Sequence, residues 1–145
     1  MKNQIINEIL KEAYYGEEKG AATPWGRAQQ TYPIIRGVNW YSTAGHGGMS
    51  VARGTALKFL TTQARELGML HGNSYWYEED NAWVIPFYEN PHWQEAFVKA
   101  GGGGKVYSKE ELKTMVERDY PKYFDSEFVE KTVNKHNKPK LEPND

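Results

Sequence analysis

Apolar residues recur along this chain with two periods, and the switches between them divide it into elements. Ile5, Ile6, Ile9, Leu10 and Ala13 keep a three-to-four-residue spacing behind Asn3 as a cap, which predicts an amphipathic helix over residues 3–15. Gly16 to Gly20 ends it. Residues 21–31 read as a loop, because Pro24 turns Thr23 away from helix and Gly26 allows a sharp turn. Alternation then takes over. Residues 32–35 and 38–43 predict two strands about Arg36-Gly37, with Val38, Trp40 and Ser42 on one face and Asn39, Tyr41 and Thr43 on the other. Residues 49–52 predict a short strand. The helical period returns over 55–67, where Ala56, Leu57, Leu60, Ala64 and Leu67 form a stripe between Thr55 as cap and Gly68 as terminator.

Residues 75–78 and 83–87 are rich in aromatic and β-branched side chains and predict a hairpin about Glu79-Asp80-Asn81. A helix beginning at Glu78 competes, since acidic residues suit a first helical turn, and Pro86 argues against a central strand. Asn90-Pro91 opens a helix running to about residue 100. Four glycines at 101–104 then read as a flexible linker. Ser108-x-x-Glu111 is a capping box for a helix through Leu112, Met115 and Val116, stopped by Pro121. A second helix is expected over 126–135. The division expected is a core over 1–100, the glycine linker, a helical appendage over 105–136 and a disordered tail over 137–145.

Composition narrows the chemistry. The chain has 145 residues, enough for one domain with its own core, and no cysteine, which removes disulfides, thiolate nucleophiles and cysteine zinc sites. Net charge is −1, so no general field draws it to nucleic acid. No apolar run is long enough for a membrane span and no signal-peptide pattern opens the chain, so a soluble cytoplasmic protein is expected.

Two stretches carry candidate chemistry. In the first, Ser42 and Thr43 end a strand and lead to His46, with Gly45, Gly47 and Gly48 around it. An imidazole on such a loop can transfer protons or bind a ligand that approaches the backbone; equally, it can be a loop histidine whose glycines serve turn geometry. The second is Glu78-Glu79-Asp80, set among Tyr75, Trp76, Tyr77 and Trp83. Three carboxylates can bind a metal, act as acid or base, or accept hydrogen bonds from a ribose or amine; most acidic triplets are solvated turns. On a strand Glu78 and Asp80 would share a face and Glu79 take the other, so one or two of them can line a pocket. Trp25 can stack on a ring, and Arg27 or Arg36 can hold an anion through its fork. There is no Gly-x-Ser-x-Gly elbow and no phosphate-loop or dinucleotide fingerprint; His71 and His92 lack metal-ligand spacing to each other or to His46, and His136 lies in the tail.

Trp25-Gly26, the Ser42-Thr43-Ala44-Gly45-His46-Gly47-Gly48 block and the Trp76-Tyr77-Glu78-Glu79-Asp80 block with Trp83 resemble a family of uncharacterised phage and mobile-element proteins, over about residues 24–97. Gly45 stands where that family usually has serine, and Asn81 where cysteine is common. The resemblance implies phage origin and a shared site at His46 and Glu78-Glu79-Asp80, but no reaction.

The fold expected is α+β, a small mixed or antiparallel sheet flanked by helices. The site expected comprises Trp25, Arg27, Trp40, Ser42, Thr43, His46, Gly47, Gly48, Tyr77, Glu78, Glu79 and Asp80, with no metal or cofactor. The function expected is a phage accessory protein that blunts host defence by binding a small ligand, a nucleotide among them, or a host protein. The alternative is an enzyme, a hydrolase or ADP-ribosyltransferase-like, using His46 with Glu78 or Glu79. A homo-oligomer is among the expected partners; a membrane and nucleic acid in general are not.

Overall fold

The computed structural model describes residues 20–137. The helix expected over 3–15 and the tail from 138 lie outside them. The fold is α+β. Five strands form an antiparallel sheet in the order β3 (Gln30–Ile35), β4 (Val38–Ser42), β5 (Gly47–Ala52), β7 (Ser74–Glu78), β6 (Met69–His71). The loop expected over 21–31 holds a small hairpin instead, β1 (Ala22–Thr23) with β2 (Gly26–Arg27). Thr23 closes it: its hydroxyl donates to the Gly26 carbonyl at 2.7 Å and accepts from the Trp25 N–H at 3.0 Å.

Register assigns each residue to a face, since partners across antiparallel strands point the same way. Trp40, Met49 and Tyr77 lie in one row, and Val38, Val51 and Tyr75 in another on the same face. That face carries the core, with Val38, Met49, Val51 and Tyr77 fully buried. The opposite face carries Tyr41, Ser50 and Trp76. The Trp76 ring centroid lies 5.7 Å from those of Tyr41 and Trp25, so the β1–β2 hairpin folds back over this second face.

Two expected elements change form. The helix over 55–67 is two helices, α1 (Arg53–Phe59) and α2 (Thr62–Leu67), broken at Leu60-Thr61. Thr61, not Thr55, is the cap that works: its hydroxyl accepts from the Ala64 N–H at 3.2 Å. Gly68 closes α2 in an extended conformation with φ −84°, so it does not supply the left-handed turn expected of it.

The hairpin expected between residues 75–78 and 83–87 does not form. β7 pairs with β5 and β6, and residues 84–89 are helix α3 (Val84–Glu89). The cause is Glu78, whose carboxylate turns back to accept from the N–H groups of Asp80, Asn81 and Ala82 at 2.6, 2.9 and 2.8 Å. Those bonds wind residues 79–83 into turns, and Pro86 then sits in the first turn of a helix, where its missing N–H costs little. Val84, Ile85 and Phe87 are all buried, which hid the helical period behind a continuous apolar run.

Helix α4 (His92–Phe97) follows and widens into a turn over Val98–Gly102. Beyond the glycines, the Ser108 capping box opens α5 (Lys109–Asp119), and Asp125 caps α6 (Ser126–His136). Leu112 and Val116 of α5 are fully buried in the same cluster as the sheet residues. A network joins this region to the rest: the Glu89 carboxylate accepts from the Thr61 N–H at 2.8 Å, from the Thr61 hydroxyl and from the Tyr123 phenol. Glu66 of α2 also meets Lys135 and His136 of α6, each at 2.8 Å.

Candidate functional site

His46 sits in the bend between β4 and β5, and Thr43 shapes that bend. The Thr43 N–H donates to the His46 carbonyl at 2.8 Å, and the His46 N–H donates to the Thr43 hydroxyl at 3.0 Å. The same hydroxyl donates to the His46 carbonyl. Thr43 is thus a clasp for the loop. Ser42 continues the sheet, its carbonyl accepting from the Gln29 N–H at 2.7 Å.

The two blocks meet at the imidazole. Nε2 of His46 lies 3.9 Å from Glu78 Oε2, and Nδ1 lies 3.5 Å from Glu79 Oε1. Both separations exceed a normal hydrogen bond. The Trp25 ring stands edge-on to the imidazole, with centroids 5.5 Å apart. The three side chains remain partly open to solvent, 31% exposed at His46, 29% at Glu78 and 39% at Glu79, so a ligand can reach them. Glu78 and Glu79 follow one another at the end of β7, and His46 stands between their carboxylates at the ends of the inner strands.

Their states of engagement differ. Glu78 already accepts three backbone N–H groups. Glu79 has no hydrogen bond to its carboxylate among the described residues; its own N–H donates to the Gly47 carbonyl at 2.9 Å. His46, Glu78 and Asp80 bring ligand atoms within 4.8 Å of one another, so these three could hold a divalent cation with mixed oxygen and nitrogen donors.

The glycines have a reason inside the fold. A Cβ on Gly48 would stand 2.4 Å from the Tyr77 carbonyl oxygen and 2.6 Å from Cη2 of Trp25. A Cβ on Gly47 would stand 2.6 Å from the Tyr41 carbonyl oxygen. Backbone and indole fill the space a side chain would take, so these two glycines bring protein against protein. Gly45 has open space around it.

The remaining expected residues lie apart from the imidazole. Tyr77 is in the core; its hydroxyl donates to the Ala64 carbonyl at 2.6 Å, and burial, followed by nearby Glu89, pushes its pKa well above the ordinary phenol value. Arg27 is exposed and donates to the Gly20 carbonyl at 3.3 Å. Arg36 is exposed at the β3–β4 turn. Trp40 lies on the core face and is half-buried, against Phe97 with centroids 4.8 Å apart and over Phe87 at 6.5 Å.

Trp40 opens a feature that sequence reasoning missed. A cleft of about 260 Å³ lies between β4 and the helices, lined by Trp40, Trp83, Phe87, Phe97 and Tyr107, with Glu79 and Lys105 as its charged members. Its aromatic residues come from separate parts of the chain, so no spacing announces it. The one local signal is Trp83 with Phe87, an i, i+4 pair whose ring centroids are 5.8 Å apart on α3.

The fold and this corner define an α+β domain with a histidine–carboxylate cluster between two aromatic surfaces. The chain belongs to the family described as Domain of unknown function (DUF7007), whose model matches residues 18–143. The match takes in the glycines at 101–104 and both C-terminal helices. No curated protein and no solved structure matches the chain. Among the described residues no helix is long and apolar enough to cross a membrane.

Proposed function

We propose that this chain is a phage accessory protein that blunts host defence by binding a small ligand where His46 meets Glu78 and Glu79. One observation carries the reading: an imidazole and two carboxylates converge at 3.5–3.9 Å, partly open to solvent, without closing hydrogen bonds on one another. Groups that serve only the fold normally pair fully, whereas a recognition site leaves donors and acceptors for its ligand. Phage origin and action in the host cytoplasm belong to the same proposal and rest on the paired Ser42–Gly48 and Trp76–Asp80 blocks.

A second reading has its own support. His46 Nδ1 at 3.5 Å from Glu79 is a geometry from which a general acid–base pair can tighten when substrate binds, so a hydrolase or transferase is the alternative. One experiment addresses both. Protein purified from expressing cells is denatured, and the released small molecules are identified by mass spectrometry. Candidate nucleotides are incubated in parallel and followed for depletion and chemical identity. Intact ligand, retained by wild type and lost from His46→Ala, is the expected result. A converted product would replace the binding reading with the enzymatic one. No ligand, no conversion and full anti-host activity in His46→Ala would sink both.

A further inference from the structure

The aromatic cleft behind Glu79 has a shape and a charge pattern of its own. Trp40 and Trp83 each pack on Phe87, with centroids 6.5 and 5.8 Å away, which puts Phe87 at the floor and the indoles at the sides. Phe97 backs Trp40 at 4.8 Å, and Tyr107 backs Trp83 at 5.8 Å. Gln94, which also lines the cleft, stiffens these walls. Gln94 locks Tyr107 onto α4, its Oε1 accepting from the Tyr107 N–H at 2.9 Å and its Nε2 donating to the Tyr107 carbonyl at 3.0 Å. The Gln94 amide is therefore taken up by the fold, and Glu79 and Lys105 are the charged groups left facing the cleft.

Each disfavours one simple occupant. An anion alone meets the Glu79 carboxylate. A cation alone meets Lys105, whose ammonium is held at 2.8 Å from Glu111 and 5.0 Å from the Tyr107 ring centroid. A flat ring with N–H donors on one edge and an anion at the other end satisfies both. The cleft volume, near the lower end for ligand pockets of roughly 300 Å³ upward, suits one such ring and not a long chain.

We infer that this cleft binds a guanine nucleotide: the base stacks among Trp40, Trp83 and Phe87, its N1–H and N2–H donate to Glu79, and its phosphate meets Lys105 beside Gly103 and Gly104. The inference goes beyond the ligand-binding reading above, because the cleft shares Glu79 with the His46 corner but is lined by neither His46 nor Glu78. Guanine is selected over adenine by edge chemistry. Guanine presents two adjacent donors, which match the two oxygens of a carboxylate; adenine presents one donor beside the acceptor N1, and a carboxylate repels that lone pair. Stacking supplies affinity without choosing between bases. Selectivity therefore belongs to Glu79 and phosphate dependence to Lys105.

The test uses the full chain and its own tryptophan fluorescence. GMP, AMP, guanosine and inorganic phosphate are titrated against wild type, Glu79→Gln, Lys105→Ala and Trp83→Ala. GMP should quench saturably and bind at least about tenfold tighter than AMP, the scale of a charge-assisted contact to the base. Glu79→Gln should remove that preference. Lys105→Ala should weaken GMP and leave guanosine unchanged. Trp83→Ala should weaken both by roughly 5- to 150-fold, the range for one lost stacking partner. Glu79 and Lys105 are exposed, so neither change threatens folding, and circular dichroism checks Trp83→Ala. Equal binding of GMP and AMP, GMP affinity unchanged in Glu79→Gln, or no saturable quenching would overturn the inference. If nucleotides fail while a His46-dependent ligand still co-purifies, this inference falls and the binding reading stands; if both are absent, both fall.

Discussion

Two carboxylate clusters in this molecule use similar residue types to opposite ends. At the helical junction Glu89 accepts from Thr61 twice and from Tyr123, and burial, followed by the charge of Glu89 and its hydrogen bond, raises the Tyr123 phenol's pKa far above its ordinary value. That cluster is closed. At the His46 corner, His46 approaches Glu79 no closer than 3.5 Å and Glu78 no closer than 3.9 Å. That cluster is open. The boundary between closed and open runs through adjacent residues there, since Glu78 is engaged by three backbone N–H groups and Glu79 is not. On the proposed reading, engagement and not residue type separates structure from recognition.

The sharpest way to break the comparison is to ask whether the closed junction belongs to the core behind it. Leu112→Ala removes a fully buried side chain from the shared cluster and should cost about 2–5 kcal/mol. Chemical denaturation should still give one transition. Two separated transitions would mean that α5 and α6 unfold on their own and that the junction is a docking contact.

Glu89→Ala comes next. It leaves the Thr61 and Tyr123 hydroxyls without their acceptor, at a cost of about 1–3 kcal/mol. Gly48→Ala should cost a similar ~1–3 kcal/mol, because the new Cβ meets a carbonyl oxygen at 2.4 Å. Its ligand affinity should fall no more than stability requires. A Gly48→Ala protein that is fully stable but inactive would restore the reading in which ligand touches this backbone.

These contrasts also explain what was legible in the sequence. Alternation placed β3 and β4 about Arg36-Gly37, and Ser108-x-x-Glu111 marked the start of α5, because both signals are local. The meeting of His46 with Glu78 and Glu79 was legible as two polar blocks at strand ends. The Glu78 side chain was not: whether a carboxylate faces ligand or bonds its own backbone is decided by the turn it makes, and that bond converted an expected strand into α3. The Thr61 break was hidden for a similar reason. Its N–H and hydroxyl are held by Glu89, 28 residues away, so a single helical stripe continued on paper where the chain bends. Tyr77 looked like a site residue from its neighbours and is a core residue by register.

Acid should loosen the closed side in a second place. Glu66 loses some solvation by burial, but Lys135 and His136 outweigh that and hold its carboxyl below the usual range. A depressed folded-state pKa means stabilisation present above the unfolded carboxylate pKa and lost as pH falls through the folded value. The attachment of α6 should therefore weaken in the acidic range below that of an ordinary carboxylate. Amide exchange along α6, compared between wild type and Glu66→Gln, should converge there and differ at neutral pH. The effect should be small, since Lys135 is exposed to solvent and Glu66 partly so.

The smallest expected effect is the most discriminating. Glu79→Gln keeps the side chain's size and removes only its charge. If the open corner contributes nothing to folding, this change should move stability by less than about 0.5 kcal/mol, as for an ordinary surface substitution. Glu78→Gln, one residue away, should cost about 0.5–2 kcal/mol, because the carboxylate divides three N–H groups between its two oxygens and an amide keeps one oxygen, setting its NH2 donor against an N–H that loses its acceptor. The two adjacent substitutions thus predict opposite profiles: Glu78→Gln lowers the melting temperature, and Glu79→Gln leaves it unchanged while ligand retention falls. Equal destabilisation would mean that Glu79 is engaged in solution after all, and the corner would then be a second closed cluster. Equal stability with equal loss of ligand would mean that the turn does not depend on the Glu78 cap, and both carboxylates would face the ligand with His46 between them.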